Sequence, residues 1–184
     1  MDQFKDIALP LILVFEGDKF TDHPADKGGP TRYGITQKNY DLYRKSRKWA
    51  VQIVKDIGMN EVREIYFNNY WSPAKCSEMS NNLGICSFDT AVNSGCGRST
   101  KLLQQIIGAK VDGVIGQETI KKLKEFDQEQ LVSRFLDSRV SFYNSLVARD
   151  SSQKVFLAGW LRRVRFLREF VMGKKTLDQI KKEW

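Results

Sequence analysis

Glu16 is the residue of this sequence best placed to move a proton. It ends an apolar run, Ile7 to Phe15, and glycine follows at once as Gly17. A polar stretch then carries Asp18, Asp22 and Asp26, the single histidine His23, a Gly28-Gly29-Pro30 turn, and Thr31-Arg32-Tyr33-Gly34-Ile35-Thr36. A carboxyl at the end of a rigid helix, with apolar neighbours on one side and a glycine-kinked loop on the other, is a sound design for a general acid. Hydrolysis needs a partner for it. Asp26 is the first candidate for the base or nucleophile, with Asp22 behind it. Thr31 could hold the attacking water, because a hydroxyl both donates and accepts. The competing reading of Asp22 and Asp26 is structural: Asp beside Pro24 and Gly28 also builds Asx turns.

Other chemistries are poorly supplied. Three cysteines, Cys76, Cys86 and Cys96, lack C-x-x-C spacing, and one histidine completes no zinc site. No metal and no cofactor are expected, and buried free thiols are the simpler reading, best for Cys86. A cysteine–histidine pair for nucleophilic catalysis has only His23 to draw on. Aromatic and amide side chains that suit sugar rings and hydroxyls stand at Tyr33, in the run Asn68-Asn69-Tyr70-Trp71, and at Asn93. Tyr33, Tyr70 and Asn93 are the substrate-binding candidates. A half-buried helix end is the simpler account of Trp71.

The elements that must position these groups are helical. Residues 3–15 show 3- and 4-residue apolar spacing, with Asp2 as cap and Pro10 as an expected kink. Residues 17–36 read as loop with a short hairpin. Thr36 should cap a helix over 37–45, Val51 to Ile57 read as an amphipathic piece, and Asn60 should cap a helix from Glu61 to Tyr70. Leu83 to Asn93 is apolar enough to be a central buried helix. In it Asp89 is expected to be a hydrogen-bonded structural carboxylate. Ser99 to Ile107, Gln128 to Arg149 and Ser151 to Met172 complete the helices, and residues 173–184 end in a turn or two. Asp112-Gly113-Val114-Ile115-Gly116 reads as a tight turn before the helix that starts near Thr119. No long β-branched alternation is present. The expected fold is mainly α, with a central buried helix and little or no sheet, in a single domain over 1–184.

Four motifs in order resemble glycoside hydrolase family 108, the muramidases of phage endolysins and of some bacterial export systems. They are the Glu16-Gly17 block with Gly28-Gly29 and T-R-Y-G-I-T, the helix F-D-T-A-V-N-S-G, the turn D-G-V-I-G-Q-E-T, and the late G-W-L-R-R-V. The first block departs from the family pattern, having Asp18 and Lys19 where a glycine and a tyrosine are usual, with Phe20 as the nearby aromatic. The order Glu16, Asp26, Thr31 also resembles phage lysozymes. The resemblance implies a lysozyme-like fold, with residues 1–97 holding the glutamate loop and central helix and 98–184 a peptidoglycan-binding-like helical part of the same globule. It implies a bacteriolytic lysozyme activity, cutting the β-1,4 bond between N-acetylmuramic acid and N-acetylglucosamine, with Glu16 as acid and peptidoglycan as partner.

Charge adds a partner argument. The net charge is +8, and the excess lies from Lys121 onward, with Arg162, Arg163, Arg165 and Arg168 clustered in seven residues. Such a half is drawn to anionic wall or membrane surfaces, and most of these arginines are expected to face water or a partner. No nucleic-acid recognition motif is present, and the aromatics follow core spacing, so no specific nucleic acid is expected. A monomer is expected. The N-terminus lacks a basic n-region and cleavage site, so the expected location is the host cytoplasm until release to the wall. The alternative function is a non-catalytic basic module that binds cell wall or nucleic acid.

Overall fold

The computed structural model describes residues 2–22 and 28–184. The chain forms two compact units, residues 1–69 and 70–184.

The first unit begins with a widened π turn, Gln3–Ala8, capped by the Asp2 side chain on the Lys5 amide. Helix α1, Leu9–Glu16, continues from it. Pro10 therefore sits in the first turn of α1, where its missing N–H breaks no helical bond. Leu9, Leu11, Ile12 and Phe15 are buried. A hairpin follows, β1 (Thr31–Arg32) antiparallel to β2 (Ile35–Thr36), with Thr31 opposite Thr36 and Arg32 opposite Ile35. Thr36 caps α2, Gln37–Ser46, through its hydroxyl on the Asn39 amide.

The amphipathic piece expected over 51–57 is reduced to one 3-10 turn, Val54–Asp56. The backbone leading to it is held by side chains of α2 instead. Arg44 donates to the Ala50 carbonyl, and Gln37 donates to Gln52 O and accepts from the Val54 amide. Asn60 is not a cap. Gly58 occupies that position, its N–H bound by the Glu61 carboxylate, and α3 runs Met59–Tyr66 before a second π turn, Phe67–Trp71.

The second unit is built on α4, Asn81–Ser94, in which Leu83 through Ala91 are all buried. It packs against α5 (Cys96–Ile106), α7 (Gln128–Arg149) and α8 (Lys154–Val171). Close approach of α5 is marked by the buried Ser87–Ser99 hydrogen bond, 3.0 Å. Short helices α6 (Gln117–Leu123) and α9 (Leu177–Glu183) complete it. Gln104 of α5 fixes the Asp112-Gly113 turn. Its carboxamide donates to Asp112 Oδ1 and Val114 O and accepts from the Gly113 amide.

Asp89 is fully buried between two guanidinium groups. Arg139 of α7 pairs with Oδ2, and Arg163 of α8 pairs with Oδ1 at 2.9 Å. The expectation that Asp89 is structural matches this. The expectation that the late arginines mostly face water is corrected in part. Arg163 is buried against Asp89, and Arg168 pairs with Asp137. Arg162 caps the C-terminal carbonyls of Glu183 and Trp184. Only Arg165 of the four lacks an acidic or carbonyl partner among the described residues. It lies over the Phe166 ring and is exposed. The apolar periodicity said which positions leave the stripe; it could not say that one of them would be neutralised from another helix.

Candidate active site

Glu16 is the last residue of α1, and the chain turns away at Gly17, whose φ of 76° favours glycine. The Gly17 amide still closes on Leu13 O at 3.0 Å. The carboxyl thus projects from the final turn of a helix that is almost wholly apolar. The segment beyond it is drawn together at Thr21 and Thr31, which exchange backbone hydrogen bonds of 2.9 and 2.8 Å.

The hairpin turn lies on the carboxyl. Tyr33 and Gly34 both have positive φ, 52° and 69°, the signature of a type I′ turn. Gly34 is required for more than its dihedral. A Cβ built there would fall 2.7 Å from Glu16 Oε2 and 2.9 Å from the Tyr66 hydroxyl. Glycine is the residue that lets this backbone touch the acid. Tyr66, buried on α3, donates to the Tyr33 carbonyl at 2.7 Å and so pins the turn from behind. Arg32 ties the hairpin to both sides, through Asp18 O at 3.4 Å and Lys55 O, with its guanidinium 5.0 Å from the Tyr33 ring centroid.

The sequence candidates separate into groups. Glu16 and Tyr33 are brought together at the turn. Thr31 is on β1, and its hydroxyl donates to Gly29 O at 2.9 Å, so its proton is committed to the loop backbone. Asp22 is exposed beside the Thr21 bridge. Asp26 lies outside the described residues. Tyr70 and Asn93 belong to the second unit. There, Asn93 Oδ1 at the end of α4 accepts from the Tyr143 hydroxyl, which in turn accepts from Arg139 Nε at 2.8 Å. Sequence reasoning missed Tyr66 as a site residue. It sits at core spacing with Val62 and Ile65, and nothing local announces that its hydroxyl reaches a carbonyl 33 residues back.

Two family models match the chain, Glycosyl hydrolase 108 over residues 9–95 and a predicted peptidoglycan domain over residues 98–165. Residues 9–95 of the chain therefore match the glycosyl hydrolase 108 family. Its glycoside hydrolase segment contains Glu16, the hairpin and Tyr66, the three parts that the geometry joins. No curated protein matches the chain. Among solved structures, Brucella abortus SagA is similar, at 28% identity over 90% of this chain and 92% of that one, with a TM-score of 0.76. The chain joins a segment similar to glycosyl hydrolase 108 to a predicted peptidoglycan domain on a mainly α, lysozyme-like fold, and the two together indicate a peptidoglycan hydrolase.

Proposed function

We propose that this chain is a muramidase that hydrolyses the β-1,4 bond between N-acetylmuramic acid and N-acetylglucosamine, with Glu16 as the general acid. The observation that carries the reading is the close approach of the Tyr33-Gly34 turn to the Glu16 carboxyl at the end of α1. Protonated Glu16 gives its proton to the glycosidic oxygen as the C–O bond breaks. Water adds to the anomeric carbon, and the proton it loses passes to a second carboxylate. Asp26 is the proposed second group, with Asp22 as the other candidate, and Thr31 offers its lone pairs to the water. Tyr33, whose turn approaches the acid, is the proposed sugar contact; Tyr70 and Asn93 are further proposed sugar-binding residues. Exposed basic residues of that unit, such as Lys121, Lys124, Arg149 and Arg165, support association with anionic wall polymers. The proposed place of action is the cell wall, after release from the host cytoplasm.

Zymography on peptidoglycan with wild type and Glu16→Gln tests the acid. The amide keeps the shape and loses the proton, so activity should fall by about 10²–10⁴-fold with an unchanged melt. Retention of more than about a hundredth of the activity would rule out the acid role. Mass spectrometry of released muropeptides tests the bond: muramic acid at the reducing end is the expected product, and glucosamine there overturns the assignment.

A further inference from the structure

The first unit carries a surface that the hydrolase reading does not use. Residues 38–55 hold six Lys and Arg against one acid, Asp41, whereas residues 1–36 hold four against six. Within the basic segment, apolar side chains are turned to water. Leu42 is 59% exposed, Trp49 47%, Val51 81% and Ile53 47%. Trp49, Val51 and Ile53 occupy alternate positions in the segment that returns beside α2, with the backbone at Ala50 and Gln52 held by Arg44 and Gln37. This apolar strip is therefore presented by a fixed backbone.

The charges divide in the same way. Arg44 is taken up by Glu61 at 2.8 Å, and Arg47 pairs with Glu64. Gln37 occupies Asp41 at 2.7 Å. Lys38, Lys45 and Lys48 are exposed and have no acidic partner among the described residues. On α2, Lys38, Leu42 and Lys45 follow i, i+4, i+7 and share a face. Lys48 ends the helix at φ 58°, in the left-handed position of a Schellman motif closed by the Trp49 amide on Arg44 O at 3.0 Å. That closure folds Trp49 back against Tyr43, ring centroids 6.0 Å apart and near perpendicular. The segment thus exposes a tryptophan, three aliphatic side chains and three lysines that have no acidic partner among the described residues.

We propose that this face docks on an anionic lipid surface. The exposed aliphatic groups enter the headgroup–acyl boundary, Trp49 lies at headgroup depth, and Lys38, Lys45 and Lys48 meet the lipid phosphates. A nucleic acid or an anionic wall polymer would satisfy the lysines but leave Val51, Ile53 and Leu42 in water, and so fits the face less well. Docking here would hold the hydrolase at the membrane side of its polymer.

Flotation of the full chain with phosphatidylcholine vesicles, with and without about 30 mol% phosphatidylglycerol, tests this. Binding to the anionic vesicles, weakened by salt, is expected, with little binding to phosphatidylcholine alone. Lys45→Gln with Lys48→Gln should weaken it roughly thirtyfold, at about fivefold per basic side chain near such a surface. Val51→Ser with Ile53→Ser should weaken it at least about tenfold, because buried aliphatic area is lost. Both pairs are exposed, so melts and wall hydrolysis should match wild type. If the serine pair alters the melt, the lysine pair decides. No binding by wild type overturns the proposal. So does loss with the lysine pair alone while the well-folded serine pair binds normally, which would mark a polyanion site instead.

Discussion

Glu16 and Gly34 are in contact across 18 residues of chain, so close that a methyl group at position 34 would overlap the carboxylate oxygen, 2.7 Å from it. Gly34→Ala should therefore displace the acid as well as strain a backbone at φ 69°. Turnover per folded molecule should fall at least about tenfold, as expected when a reacting group is shifted by a few tenths of an ångström or more. Gly108→Ala is the control: φ there is 65° but nothing lies within 4 Å of the new Cβ. It should cost stability and leave specific activity alone. Equal loss of activity in the two variants would show that strain, and not displacement, is what matters at position 34.

Tyr66→Phe removes the hydroxyl that holds the Tyr33 carbonyl at 2.7 Å. A loss of about 1 kcal/mol of stability is expected, in the ordinary range for one hydrogen bond. The informative readout is kinetic. A turn that no longer rests firmly on Glu16 should lower kcat more than it raises KM. A variant with reduced melting temperature and wild-type kcat would confine Tyr66 to the fold.

Asp89 gives a pH prediction with a definite sign. Burial pushes its carboxyl up, but Arg163 and Arg139 outweigh burial and hold it below the usual carboxylate range. The folded value is thus lower than the unfolded one. The stabilisation is complete above the ordinary carboxylate pKa and is lost as pH falls through the depressed folded value. Stability should drop below about pH 4. Asp89→Asn should destabilise at neutral pH by about 3–5 kcal/mol, leaving two buried guanidiniums without a counter-charge, and should flatten the acid limb. Urea melts from pH 2.5 to 7 check both; an unchanged acid limb in the variant would refute the linkage.

The thiols should resist reagents. Burial pushes Cys76 up to about 12 and Cys86 higher still, and raises Cys96 as well. Thiolate is the reactive form. Titration of the native protein with a disulfide reagent at pH 8 should therefore find at most one slow thiol, Cys96, the only one of the three with partial exposure. All three should react in denaturant. Fast reaction of two or more native thiols would contradict the burial.

Helices with a clear period and a stop were legible: α4 by its apolar content, α7 by its length, α2 by Thr36 at its start. The position of Glu16 at the end of a helix was legible, because glycine follows the apolar run at once. What failed was local reading where a distant group decides. Residues 51–57 carry a helical pattern, but Arg44 and Gln37 bind their backbone and hold them in a shape with one 3-10 turn. Gly58 displaced Asn60 as cap because Glu61 reaches its amide. Arg163 looks like a surface charge in the sequence and becomes interior because Asp89, 74 residues earlier, stands opposite. Tyr66 was hidden for the same reason.

The Asp89 triad also bears on how such a chain can be inherited. The two matched segments meet between residues 95 and 98, which invites the picture of interchangeable modules. Yet the carboxylate lies in the first segment and both guanidiniums in the second. A recombination at that seam would hand one descendant a buried anion and the other two buried cations. The seam is a boundary of resemblance and not of packing: in this chain the two segments share one buried cluster of charges.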